Sequence, residues 1–142
     1  QVSRGHGFKL FGLLVLLGDL IDRGPQSAEV IERVRTLSAG DFQVVALCGN
    51  HEEVLLRILH GEADQVAGWL TYGGGETLQS YGLDPQEIAK LAPLEAQARI
   101  AAAVPAAHRD FLGALGDSFR FGDYLFVHAG IRPGIPLEQQ SL

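Results

Sequence analysis

Between Leu13 and Leu17 the chain reads LLVLL, stops at Gly18, and then sets Asp19, Asp22 and Arg23 within five positions. A short unbroken apolar run bounded by glycines predicts a strand buried on both faces, as at the centre of a sheet. The same plan follows a second time. Ser27 is placed to cap a helix with Val30, Ile31, Val34 and Leu37 on one face and a stop near Gly40. Phe42 to Leu47 (FQVVAL) then predicts a second strand, and Cys48-Gly49-Asn50-His51-Glu52 leads into a helix. That helix carries Val54, Leu55, Ile58 and Leu59 at helical spacing and stops at Gly61. Strand, polar loop and helix twice in succession predict an α/β fold. Loops at the carboxyl ends of such strands lie side by side, so both polar clusters should share one edge of the sheet.

From Ala63 to about Leu115 the pattern is mostly helical, broken at Gly73-Gly74-Gly75, Asp84-Pro85, Pro93 and Pro105. It reads as a helical cap inserted at about 63–115 into a single domain spanning residues 1–142. Strand character returns at Asp117 to Phe121 and Tyr124 to Val127, with Gly122-Asp123 as a tight turn. A third polar strand end, His128-Ala129-Gly130, comes next.

At 142 residues, 46% hydrophobic and 20% charged, the chain suits one folded domain with a substantial core. Eleven basic against 17 acidic residues give a net charge of -6, which excludes the electrostatic footprint of a nucleic-acid or anionic-membrane binder. Cys48 is the single cysteine, so there is neither a disulfide framework nor a cysteine zinc site, and a cytoplasmic location is expected. Leu10 to Leu17, behind Arg4 and Lys9, has the basic front and short apolar run of a signal segment. It is too short to span a bilayer and leads into charged residues without a small-residue cleavage pattern, so the strand is preferred.

Three strand ends thus supply Asp19, Asp22 and Arg23; Asn50 and His51; and His128. Carboxylate, amide oxygen and imidazole are ligands for divalent manganese, iron or zinc. A carboxylate can bridge two such ions, and a metal pair activates water while clamping a phosphoryl group. Arg23 offers a planar fork for phosphate oxygens. Each residue also has a plainer role. Asp19 and Asp22 are good turn formers beside Gly24-Pro25, Asn50 is a good helix cap, and Glu52 suits the positive end of a helix. His6, His60 and His108 lack a polar setting of this kind and are read as surface or structural residues.

The motifs GDLIDRG, GNHE and VHAG, in this order, resemble three signatures of the calcineurin-like metallophosphoesterases. The likeness covers about Leu13 to Pro136 and is closest to bacterial protein serine/threonine phosphatases and the related symmetrical dinucleoside tetraphosphate hydrolases. It implies the αββα sandwich of that superfamily, with a helical cap. It further implies that Asp19 bridges two metals, that Asn50 and His128 ligate one of them, and that manganese is the first candidate, with iron or zinc as alternatives. His51 would be the general acid, Asp22 its partner, and Arg23 the phosphate clamp, while water activated by metal attacks phosphorus in line. The segment WLTYGGGETLQSYG, residues 69–82, resembles the cap beside such sites. Trp69, Tyr72 and Tyr81 could line a substrate groove there or pack the cap onto the core.

The likeness departs from the family pattern at both ends. The family places a strand ending in GDxHG before GDxxDRG, whereas Gln1 to Gly12 read QVSRGHGFKLFG, with Gly5-His6-Gly7 as an echo lacking the aspartate. His6 lies 13 positions before Asp19, too few for a parallel crossover. The later GH strand of the family has no counterpart before Leu142, which follows soon after Ile131-Arg132-Pro133-Gly134. One metal would keep Asp19, Asn50 and His128, the other only Asp19. The expectation is a truncated or degenerate site with low activity unless another chain completes it, and exposed sheet edges that invite self-association. The implied activity is hydrolysis of phosphomonoesters on phosphorylated proteins or small phosphoesters. Symmetrical dinucleoside tetraphosphate hydrolysis is one alternative and a non-catalytic remnant another.

Overall fold

The computed structural model describes residues 12–37 and 42–140. The readings placed on Gln1 to Phe11, including His6, and the helix stop near Gly40 lie outside the described residues. Strand β1 (Gly12–Leu16) pairs in parallel with β2 (Phe42–Ala46), Leu16 standing opposite Ala46, through helix α1 (Ser27–Arg35). Helix α2 (Asn50–Leu59) follows β2. The ladder continues one step beyond the named strands, because the Leu47 N–H donates to the Leu16 carbonyl at 2.8 Å. Parallel pairing puts the ends of both strands, and so both polar clusters, at one edge.

The helical insert runs through α3 (Gln65–Trp69), a π-helical turn (Leu70–Gly74), α4 (Gly75–Ser80), α5 (Pro85–Ala89), α6 (Pro93–Ala103) and α7 (Ala106–Gly113). Its breaks fall where the turn chemistry puts them. Asp84 caps α5 by accepting the Gln86 N–H at 2.8 Å, and Pro85 and Pro93 open their helices, where a missing N–H costs nothing. The insert does not stand apart from the rest. Helix α1 packs on α4 and α7, and α2 packs on α3, α6 and α7. Ile31, Leu55 and Ile58 share one buried cluster with Val66, Trp69, Leu78, Ile88, Ile100 and Leu112.

Strands β3 (Ser118–Phe121) and β4 (Tyr124–Val127) form an antiparallel hairpin closed by Gly122-Asp123. A parallel bridge between Leu47 and Gly116 ties its base to the end of β2, with the Cys48 N–H donating to the Gly116 carbonyl at 2.8 Å. His128 follows β4 and is thereby carried to the edge where β1 and β2 end.

Two local readings are corrected. β1 is not buried on both faces, since Leu14 is 38% exposed, as is Leu17 just past its end at 45%. The tightly packed core belongs to the helices, and among the described residues β2 alone pairs with β1. Ser27 is not the cap of α1 either; Gln26 occupies that position, while the Ser27 hydroxyl is drawn into the loop after β1 and accepts the Asp22 N–H at 3.1 Å.

Candidate metal centre

The loop after β1 holds an unusual backbone. Asp19, Asp22 and Arg23 have φ angles of 55°, 69° and 58°, in the left-handed region that costs a residue with a β-carbon about 1–3 kcal/mol. Such strain persists only where surrounding groups fix it, and each of the three amides is captured from a distance. The Asp19 N–H donates to Glu52 Oε2 at 2.9 Å, the Asp22 N–H to Thr77 Oγ1 at 2.9 Å, and the Arg23 N–H to the Gly73 carbonyl at 3.1 Å. Gly49, at the end of β2, lies so close that a β-carbon there would sit 2.5 Å from Asp19 Oδ1. Only glycine permits the two strand-end loops to touch.

Glu52 is the keystone of that contact and is fully buried. Its Oε1 accepts the N–H groups of Leu20 at 2.6 Å and Ile21 at 3.2 Å, and its Oε2 those of Asp19 at 2.9 Å and Gly49 at 2.8 Å. The acid expected merely to suit the start of α2 therefore binds both loops together. Four N–H donors satisfy the buried charge, as burial requires.

Asp19, Asn50 and His128 meet at this junction. His128 Nδ1 lies 2.7 Å from the Leu17 carbonyl, which can only accept, so this nitrogen carries the proton. The other ring nitrogen, Nε2, faces Asn50 Oδ1 at 3.0 Å and Asp19 Oδ1 at 3.3 Å. In the neutral ring, three lone pairs then converge with no proton among them, and a cation relieves that repulsion. A backbone carbonyl fixing the tautomer of a ligating histidine is the usual outer support of a metal site. The trio fits one divalent ion of the kind held by oxygen and imidazole. Among the described residues no group of three or more His, Cys, Asp and Glu side chains is placed to hold a metal, the third donor here being an amide oxygen.

The other sequence-predicted residues stand beside the trio. His51 Nδ1 donates to Asp22 Oδ2 at 2.6 Å, and both side chains are buried. That leaves Nε2 as the ring nitrogen free to serve a substrate. Arg23 is exposed and makes no ion pair among the described residues. It lines a cavity of about 250 Å³ together with Asn50, His51, Trp69 and Tyr72. A second cavity, about 640 Å³, opens on the other side of Asn50 past His128 and Arg132. Cys48 lines it without a part in ionic chemistry, since burial, reinforced by Glu52, Asp117 and Glu53, pushes its thiol up to about 11.

Two residues of the insert reach the dyad in a role that the sequence alone does not announce. Trp69 Nε1 donates to Asp22 Oδ2 at 2.9 Å, and Thr77 Oγ1 to Asp22 Oδ1 at 2.6 Å. Of the three aromatics proposed for the groove or the packing, Trp69 does both, Tyr72 lines the cavity while 71% exposed, and Tyr81 packs edge-on against His108. Nothing in the spacing of Trp69 or Thr77 marks a partner 47 or 55 positions away.

Comparison with known proteins bears on this arrangement directly. A sequence model described as calcineurin-like phosphoesterase matches residues 11–141. The symmetrical bis(5'-nucleosyl)-tetraphosphatase of Acidovorax sp. (strain JS42) is 37% identical over 120 residues, which is 84% of this chain and 34% of that protein. Its namesake from Aromatoleum aromaticum is 34% identical over 121 residues, 85% of this chain and 34% of the relative. The one from Paracidovorax citrulli is 52% identical over 46 residues, 32% of this chain and 15% of the relative. The chain thus spans at most about a third of the length of these curated relatives. With the family model covering residues 11–141 and relatives 34–37% identical over most of the chain, the chain belongs to the calcineurin-like phosphoesterases, a family dependent on divalent metal.

Proposed function

We propose that this chain supplies the metal-holding and proton-donating part of a phosphoesterase that cleaves dinucleoside tetraphosphates symmetrically. The observation that carries the reading is the convergence of Asp19, Asn50 and His128 on one point beside the His51–Asp22 pair. The substrate follows the activity for which the relatives are named. Asp19, Asn50 and His128 would hold the ion, manganese being the first to try, then iron and zinc. A divalent ion supplies Lewis-acid charge on the phosphoryl oxygens and activates water at neutral pH. Arg23 binds and orients the phosphate from the 250 Å³ cavity. As the bond from phosphorus to the leaving oxygen breaks, His51, as an imidazolium with a proton on each ring nitrogen, would give that oxygen its Nε2 proton and keep the Nδ1 proton on Asp22. Asp22 holds the ring in the orientation this needs and stabilises its charged form.

A second reading, hydrolysis of phosphoserine or phosphothreonine, is favoured by the dyad itself. An alkyl oxygen leaves poorly without a proton, whereas a nucleoside diphosphate leaves with less help, so a buried general acid suits the monoester. The deciding experiment is turnover of diadenosine tetraphosphate and a phosphoserine peptide, side by side, with manganese present. Faster release of nucleoside diphosphate supports the first reading; preference for the peptide supports the second. Loss of neither activity on His51→Ala would overturn the proposed mechanism, and absence of both from the wild-type chain would support a non-catalytic role. A cytoplasmic location, suited to the unpaired Cys48, belongs to the same proposal.

A further inference from the structure

We propose that Trp69 and Thr77 of the helical insert are positioning residues that fix the general acid by gripping its carboxylate partner; this rests on the role given to His51 above. The Asp22 side chain is fully buried and receives a donor from each of three elements. His51 and Trp69 share Oδ2, at 2.6 and 2.9 Å, and Thr77 occupies Oδ1 at 2.6 Å. Thr77 holds the residue at a second point, because its oxygen also accepts the Asp22 N–H at 2.9 Å. The carboxylate plane is thereby pinned at both oxygens and the backbone at its strained φ of 69°. His51 inherits its orientation from that plane. The glycines of the insert serve the same end: the face of Trp69 lies against Gly74, where a β-carbon would sit 2.4 Å from the indole. The indole is held with its N–H toward Asp22. The insert is therefore part of the proton-donating machinery as well as a wall of the cavity.

The test is a set of variants that keep shape and remove single donors: Trp69→Phe, Thr77→Val, and Thr77→Ser as the conservative control. In the nuclear magnetic resonance spectrum of the full chain, wild type should show one His51 tautomer with a slowly exchanging Nδ1 proton. Trp69→Phe and Thr77→Val should broaden or mix it, and Thr77→Ser should restore it. Turnover should fall about 10- to 100-fold in kcat with KM unchanged, and Trp69→Phe should cost nothing more in a His51→Ala background, as residues acting through one another do not add. An unaltered His51 signal in both donor-deleting variants, or an equal loss of kcat with and without His51, overturns the proposal. The spectroscopic arm reads positioning without turnover, so failure of the general-acid role would appear separately, as a His51→Ala variant with undiminished kcat.

Discussion

At the scale of single residues, the site depends on side chains that answer strain elsewhere. Glu52 accepts four backbone N–H groups from two loops, so Glu52→Gln puts an amide donor where only acceptors fit. The variant is expected to lose about 2–3 kcal/mol of stability, read as a lowered midpoint in denaturant unfolding. An unchanged midpoint would contradict the role given to Glu52. This role was not legible in the sequence, where Glu52 looks like an ordinary acid in the first turn of a helix. Its partners Asp19, Leu20 and Ile21 lie 31 to 33 positions away, beyond any local pattern. Asp19, Asn50 and His128 could be named in advance because each stands at the end of an apolar run. The strain at Asp19, Asp22 and Arg23 could not, since residue type does not announce a left-handed backbone.

At the scale of elements, the insert is locked by close packing and by a polar pin. Gly74→Ala would drive a β-carbon into Trp69, at a cost of about 1–3 kcal/mol, whereas Gly68→Ala, with nothing within 4 Å, should be nearly neutral. Paired thermal melts of the two variants check this, and equal losses would contradict it. The pin joins α1 and α7 to Tyr81, the residue that ends α4. Glu32 is acceptor-only, so His108 donates from Nε2 at 3.0 Å, and the half-buried Tyr81 hydroxyl, held protonated, donates to Nδ1 at 2.9 Å. The Glu32 carboxyl lies below its usual 4.5 because of hydrogen bonds from Arg35 and then His108. A carboxyl lowered on folding stabilises above the unfolded value and loses that contribution as pH falls through the folded one. Acid unfolding below about pH 4.5 should therefore flatten in Glu32→Gln relative to wild type, and an identical acid limb would count against the pin. Periodicity had marked these helices, with proline and glycine at their breaks. It missed the exposure of β1, because an apolar run records what a strand can bury rather than what covers it.

At the scale of the whole molecule, parallel pairing of β1 with β2 and the Leu47–Gly116 bridge bring three distant strand ends to one edge. Repeated strand, loop and helix made the shared edge of the first two readable. The arrival of His128 was implied only by the family motif, because it depends on where the hairpin attaches. Leu14 on β1 and Leu17 just past its end are exposed, as a surface for self-association would be, so sedimentation should show a species heavier than the monomer as concentration rises, reduced in Leu14→Lys. A monomer at every concentration would contradict that expectation. On the mechanism proposed above, Asp19, Asn50 and His128 together would hold a divalent ion. The most direct test is titration of the full chain with manganese, followed by electron paramagnetic resonance, for wild type and for Asp19→Asn and His128→Ala. One ion should bind per chain, with affinity falling at least about tenfold in either variant, as loss of one of three protein ligands requires. Unchanged affinity in both variants, or no binding by the wild-type chain, would contradict it.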